Sequence, residues 1–565
     1  MLNLKNLRAE WVTLLASLYL LIGFNAYLWE HLEQVVPPGV VGLWLMLAFA
    51  VVMFFAFNLV LTLLAFRYVL KPVLIVLFMS GAGVAYFMNH YGVLIDSGMF
   101  RNVAETNIAE VRDLLSFKFV LYISVLGLLP SLLVWKAPIV YRPWHRELFG
   151  KLVISGACVV AVGSVALANY QGLASLLRNH HEIRLMLTPS NIVGASFGYV
   201  SERVGTAARP FLMYGEDARR DPAWQGHARK SLTVLVVGES ARAENFGVLG
   251  YARDTTPRLA REAGLLGFTD VHSCGTETAV SVPCMFSGMP RKDYDPRIAS
   301  RREGLLDILA RTGLDVQWRD NQSGCKGTCD RVQYLNLSNL KDPALCADGE
   351  CHDQILLQGL DALLDNLTQD TVLVLHQMGS HGPDYYKRYP AGGERFTPVC
   401  RSNALDQCSQ QAIANSYDNT LVYTDQVLAS LIDTLRAHQG QVDTAMIYLS
   451  DHGESLGEYN LYLHGTPYML APDQQKHVPL LAWFSDSYQQ DFGVDTACLG
   501  KLRDAPLSQD NLFHSMLGLL QVHTGVYQQS LDLFAGCRPW LTPRAPVGAG
   551  LPANTGNAGA THRSA

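Results

Sequence analysis

Charge is scarce in the first third of this chain, and a concentrated basic stripe is absent throughout. Lys and Arg total 44 against 50 Asp and Glu, a net charge of −6, which argues against nucleic acid as a partner. There are eleven cysteines, yet no pair shows the two-residue gap typical of a zinc site built from thiolates. The shortage of charge near the start excludes a wholly soluble protein, and 565 residues exclude a single hydrophobic core.

What fills the first third is apolar sequence. A membrane helix needs about 20 mostly apolar residues, and five segments qualify: Trp11–Trp29, Val40–Phe66, Val69–Met88, Phe119–Trp135 and Leu152–Tyr170. The first is no cleaved signal peptide, because Tyr19, Asn25 and Tyr27 run on without a small-residue cleavage site and further spans follow. Positive residues favour cytoplasmic loops. Lys5 and Arg8, then Arg67 and Lys71, then Lys136, Arg142, Arg146 and Lys151 mark alternate connections, so the N-terminus is expected inside and everything beyond the fifth span outside.

Cysteine placement points to the same side. Cys158 lies in the fifth span and the other ten follow it, a pattern expected of disulfides in an exported domain. Proximity pairs Cys274 with Cys284, Cys325 with Cys329, Cys346 with Cys351 and Cys400 with Cys408, leaving Cys498 with Cys537.

The expected division is a five-helix membrane domain over 1–170, a bridging segment of short interfacial helices over 171–230, a catalytic domain over 231–544 and a disordered tail over 545–565. A polar loop, 89–118, lies between the third and fourth spans, on the outer side. Within it Asn102, Glu105, Thr106 and Glu110 recur at helical spacing. After Ser231, apolar runs at Leu232–Val237, Asp315–Arg319, Thr371–His376, Thr444–Leu449 and Val478–Phe484 alternate with helical segments. Such alternation predicts an α/β fold with a mainly parallel sheet.

Ligands of such sheets gather at the carboxyl ends of the strands. Gly238-Glu239-Ser240 follows the first run, and Ser450-Asp451-His452-Gly453 follows the fourth, so two distant carboxylates and a histidine are placed to share one metal. Further islands are Ser273–Cys284, His376–Pro383 and His464-Gly465. The mixture of Glu, Asp, His and hydroxyl suits zinc, whereas magnesium would take fewer histidines. Zinc lowers the pKa of a neighbouring hydroxyl as it does that of water, which makes Thr278 the candidate nucleophile. Spacing alone does not separate it from Thr276. Lys326, His376, His381 and His464 offer donors to phosphoryl oxygens, and positioning with charge neutralisation is most of what phosphoryl transfer demands.

At these motifs the chain resembles the lipid A phosphoethanolamine transferases, which include the mobile colistin-resistance enzymes and belong to the alkaline phosphatase and sulfatase superfamily. Ser273–Cys284, Asn321–Gly327, His376–Pro383 and Ser450–Gly453 match the family's motifs in order. The resemblance implies an α-helical transmembrane domain followed by an alkaline-phosphatase-like domain. It implies Thr278 as nucleophile, Glu239, Asp451 and His452 as zinc ligands beside it, and His381 and His464 at the phosphoryl group or a further zinc. Lys326 and His376 look like the pair holding the head group, and Asn102, Thr106 and Glu110 match lipid-binding loop residues.

The implied activity is a phosphotransferase reaction in the bacterial inner membrane, with the catalytic domain periplasmic. Phosphoethanolamine passes from phosphatidylethanolamine to lipid A through a phosphoethanolamine-threonine intermediate, giving resistance to polymyxin, colistin and cationic peptides. Nothing in the sequence demands a dimer, so a monomer is expected. The chain departs from the resemblance at Glu277, where close relatives often carry a small residue; this carboxylate is expected to point away from the metal. A core sugar of lipopolysaccharide or a periplasmic glucan is the alternative acceptor. Sulfatase activity is disfavoured, because the Cys-x-Pro-x-Arg run converted to formylglycine is missing. A non-catalytic membrane sensor would lack ligands, yet Glu239, Thr278, Asp451 and His452 are present.

Overall fold

The computed structural model describes residues 7–538, apart from 106–110, 113, 208, 222, 223, 225, 226, 228, 339, 341, 348 and 349. Lys5, Thr106, Glu110 and the tail over 545–565 lie outside the described residues.

The first apolar segment is two helices, α1 (Ala9–Gly23) and α2 (Ala26–Val35), bent by 62°. The break has a local cause at Asn25. Its Nδ2 donates to Leu20 O and Thr188 O, both at 2.8 Å, and its Oδ1 accepts from Thr188 N at 2.8 Å. A side chain that bonds backbone groups competes with the helical ladder, and here it ties the break to a segment 163 residues away.

Among the described residues, four further helices are long and apolar enough to cross a membrane: α3 (Val40–Leu63), α4 (Leu70–Tyr91), α6 (Phe117–Lys136) and α7 (Trp144–Ala168). Between α4 and α6 lies a short helix, α5 (Ser97–Glu105). The bridging segment contains α8 (Tyr170–Asn179) and α9 (Ser190–Ala207). Arg101 of α5 donates to Glu202 of α9 at 2.6 Å, which joins the polar loop to the bridge.

The remaining chain forms a seven-stranded sheet. Its strands are β1 (Lys230–Gly238), β2 (Leu266–Phe268), β3 (Asp315–Asp320), β4 (Gln333–Asn336), β5 (Thr371–His376), β6 (Val442–Ser450) and β7 (Leu480–Phe484). The order across the sheet is β2-β7-β6-β1-β5-β3-β4. The run from β6 to β4 is parallel, while β7 and β2 add an antiparallel edge. The run expected to start at Val478 begins its strand at Leu480 and runs against its neighbour.

The sheet is buried on both faces, which explains the continuous apolar runs. On β1, Leu232, Val234 and Val236 pack into one core while Leu235 and Val237 pack into the other. The long helix α11 (Gln410–Ala437), started by the Ser409 side chain accepting from Ala412 N, covers the first face. The shorter helix α10 (Thr278–Ser287) lies on the second.

Candidate active site

Strand register builds the centre of the site. Ser450 of β6 stands opposite Gly238 of β1, so the next residue on each strand, Asp451 and Glu239, emerges side by side. Asp451 N donates to Gly238 O at 2.9 Å and fixes that alignment beyond the last pair. Gly379 closes a third side, and a Cβ there would lie 2.6 Å from Glu239 O at a φ of +54°. Only glycine tolerates both the close approach and the backbone.

Glu239, Asp451 and His452 are wholly buried and bring ligand atoms within 4.8 Å of one another. His452 Nδ1 lies 2.8 Å from Gly453 O. A carbonyl only accepts, so the proton sits on Nδ1 and the Nε2 lone pair faces the cluster. Nε2 is 3.3 Å from Glu239 Oε1 and from Asp451 Oδ2, and Asp451 Oδ2 is buried without a hydrogen-bond partner.

Burial pushes Asp451 up to about 6 and raises Glu239, which also feels the Asp451 charge. Burial, with His464 nearby, takes His452 down to about 4 and keeps it neutral. Crowded carboxylates beside a neutral imidazole are disfavoured alone and suited to a cation. The donor set of two oxygens and one nitrogen, with a hydroxyl beside them, fits zinc.

The structure separates the two threonines. Thr276 Oγ1 donates to Thr466 O at 2.7 Å, away from the cluster. Thr278 Oγ1 donates to Glu239 Oε2 at 2.9 Å and lies 3.3 Å from His452 Nε2. Thr278 also opens α10, and a helix N-terminus favours negative charge on a neighbouring group. The loop before it is held at both ends. Cys274 and Cys284 form a disulfide, and Gln509 accepts from Cys274 N at 2.7 Å while donating to Asp451 O at 2.6 Å. The other four cysteine pairs inferred from proximity are also disulfides, and Cys158 is free.

In front of Thr278 lies a cavity of about 400 Å³ lined by Thr278, Lys326, His381 and His464 on one side and by Phe87, Val103 and Leu115 from the apolar helices and their loop on the other. Asn102 lines it as well. Lys326 Nζ donates to Ser323 Oγ at 2.8 Å. Burial alone would lower His464, but the Glu454 carboxylate, which accepts from its Nδ1 at 2.8 Å, overrides this and takes it up to about 9. His381 is driven well down by burial and by His464, whose ring centre is 5.3 Å away.

His376 does not line this cavity with Lys326. It ends β5 in the sheet, wholly buried, with Nδ1 donating to Asp320 at 3.0 Å and its ring 5.4 Å from Trp318. Burial opposes its charge, yet Asp320 raises it above its usual value. The pair read from the sequence as a head-group clamp is therefore split, with His376 behind the carboxylates.

Glu277 is buried and turned toward the loop helix. A Cβ on Gly98 would lie 2.7 Å from its Oε1 and one on Gly465 would lie 3.6 Å from its Oε2. Its charge also acts on Arg101, so it sits at the seam between the two halves. Sequence reasoning missed Gln322, Glu454 and Gln509. Gln322 Nε2 donates to Glu239 Oε2 at 2.9 Å and stands inside a motif already singled out, and Glu454 directly follows one. Gln509 carries no local signal.

A carboxylate, histidine and hydroxyl cluster at the end of a mainly parallel sheet, facing apolar helices, defines a sulfatase-type domain carried on a helical anchor. A family model described as Sulfatase matches residues 231–522, and one described as Phosphoethanolamine transferase EptA/EptB matches residues 53–204. Phosphoethanolamine transferase EptA of Escherichia coli K12 is 43% identical over 531 residues, 93% of this chain and 96% of that protein. Phosphatidylethanolamine transferase Mcr-1 of Escherichia coli is 38% identical over 480 residues, 83% of this chain and 88% of that protein. The solved integral membrane lipooligosaccharide phosphoethanolamine transferase A of Neisseria meningitidis superposes with a TM-score of 0.91 at 35% identity, covering 94% of this chain and 100% of that one. The chain belongs to the phosphoethanolamine transferase family.

Proposed function

We propose that this enzyme transfers phosphoethanolamine from phosphatidylethanolamine to a phosphate of lipid A, in two displacements through Thr278. The observation that carries the reading is the Thr278 hydroxyl held on Glu239 at the head of a cavity whose far wall comes from the apolar helices. Zinc held by Glu239, Asp451, His452 and Thr278 would supply the positive charge that lowers the hydroxyl pKa and balances phosphoryl oxygens.

Thr278 Oγ1 yields its proton to Glu239 Oε2, on which it is already held, and bonds to phosphorus. The bond to the diacylglycerol oxygen breaks, His464, kept cationic by Glu454, supplies the proton to that oxygen, and the proton taken by Glu239 then restores the imidazolium. Lys326 and the N-terminus of α10 orient the phosphoryl oxygens, His381 shields them from water, and Gln322 holds Glu239. In the second displacement an oxygen of the acceptor phosphate bonds to the same phosphorus, the bond to Oγ1 breaks, and the acceptor's hydroxyl proton passes to Oγ1. Asn102 contacts the donor lipid, and we extend this role to Thr106 and Glu110.

We place the enzyme as a monomer in the bacterial inner membrane, with its N-terminus cytoplasmic and residues 231–544 periplasmic beyond the bridge over 171–230. Adding a cationic ethanolamine lowers the negative charge of the surface, which weakens binding of polymyxins and other cationic peptides. Intact mass of the purified enzyme incubated with phosphatidylethanolamine alone tests the reading. One phosphoethanolamine is expected on the wild type and none on Thr278→Ala, and full turnover by that variant overturns the assignment.

A further inference from the structure

A second cavity, of about 410 Å³, lies on the other side of α10. Its walls come from α5, α9, one face of α10 from Ala279 to Ser287 and the segments over 294–304 and 326–331. Among the described residues, six cations line it, Arg101, Arg203, Arg301, Arg302, Lys326 and Arg331, against two carboxylates, Glu202 and Asp330. Asp307, outside the cavity, pairs with Arg331 at 2.7 Å, and even with it included cations exceed carboxylates. Arg301 donates to Thr206 O at 3.1 Å and Arg302 to Ser287 O at 2.7 Å. Among the described residues, the cavity in front of Thr278 has a single lysine or arginine, Lys326, and that residue lines both.

Charge separates the two ligands of the reaction in the same way. The donor lipid is zwitterionic, whereas a phosphomonoester is an anion that several guanidinium groups recognise well. In-line displacement at a threonine also requires leaving and entering oxygens to take the position opposite Oγ1 in turn. Both ligands must therefore bring that oxygen to one place beside Thr278, and Lys326 is the residue that lines both cavities.

The bridge supplies a further observation. On α9, Val193, Phe197, Val200 and Val204 recur at helical spacing and are 59%, 74%, 56% and 66% exposed. Such a stripe suits a helix lying in a bilayer surface, and Tyr199, Glu202, Arg203 and Thr206 of the same helix face the cationic cavity. With α9 lying so, an anion entering there would sit at the depth of lipid head groups.

The geometry points to this cavity as the acceptor site, which takes the phosphomonoester of a membrane-anchored, acylated glycolipid and presents it beside Lys326. The assignment rests on the two-displacement reading given above. Full-length enzyme in phosphatidylethanolamine vesicles separates the two half-reactions. Diacylglycerol released without acceptor reports the first, and transfer to added lipid A reports the second.

Arg203→Ala, which alters an exposed side chain, and Arg301→Ala should each raise the KM for lipid A about tenfold, the loss of one charge-assisted contact. Both should leave the diacylglycerol burst unchanged, and Arg203→Lys should recover most of the affinity. An unchanged KM for lipid A, or a burst that falls in step with transfer, overturns the acceptor site. Inorganic phosphate that competes with lipid A as tightly as lipid A binds would assign the cavity to a soluble anion and overturn the lipid assignment. A wild type that transfers without the threonine adduct defeats the function reading instead, while the arginine dependence of KM still decides the cavity.

Discussion

At Thr278 two regions meet that are built by different rules: the carboxylate cluster behind it and the cavity before it. The cluster comes from neighbouring strands of one sheet, where register alone sets Glu239 beside Asp451 and every member is buried. The cavity wall is assembled from parts far apart in sequence, with Phe87 and Val103 on one side and His381 and His464 on the other. The first region is rigid because the sheet fixes it. The second depends on how two halves dock, through contacts such as Tyr91 Oη donating to Asn403 O at 2.7 Å. Substitutions behind Thr278 should therefore change metal and chemistry, and substitutions before it should change lipid binding.

The largest effect is expected from Asp451→Asn. It keeps the side-chain shape but removes the charge on the oxygen left without a partner. Bound zinc, measured by elemental analysis, should fall below one equivalent, and kcat should drop on the order of 10³, several kcal/mol of lost charge stabilisation. Retained zinc with retained turnover would remove Asp451 from the ligand set.

His464 provides a test across the boundary, since it faces the cavity but is charged by Glu454 behind it. Its folded pKa of about 9 stands above the ordinary histidine value of about 6.5. The stabilisation is therefore fully present below the unfolded value and lost as pH rises through the folded one. Metal-free protein should lose up to about 3 kcal/mol of stability between roughly pH 6.5 and 9, seen as a falling Tm. His464→Gln should flatten the profile. Zinc should move the loss to lower pH, because a cation nearby disfavours the imidazolium; a flat wild-type profile would refute the Glu454 pairing.

The same contrast explains what the sequence revealed. Glu239, Asp451 and His452 were legible because apolar β-branched runs announce buried parallel strands, and strand ends collect ligands. The cysteine pairs were legible because four of the five lie within ten residues of each other. The break at Asn25 was not, since its partner is Thr188 across the fold. His376 was assigned to the head group by its motif, although its place at the end of β5 buries it on Asp320. Gln509 and the cationic cavity depend on tertiary proximity, and no local pattern carries them.

The smallest effect is expected at the cavity wall. Val103, from α5, lines the cavity and is 68% exposed, so Val103→Asp leaves no void in either core. A carboxylate there must lose water when the donor's apolar chains enter, a cost of about 1–3 kcal/mol for a poorly compensated polar group. The KM for phosphatidylethanolamine should rise about tenfold, equivalent to about 1.4 kcal/mol. Zinc content, kcat and the KM for lipid A should hold. A variant that loses zinc would show that the wall and the cluster fold as one unit, whereas one with unchanged donor KM would move the lipid's path away from α5.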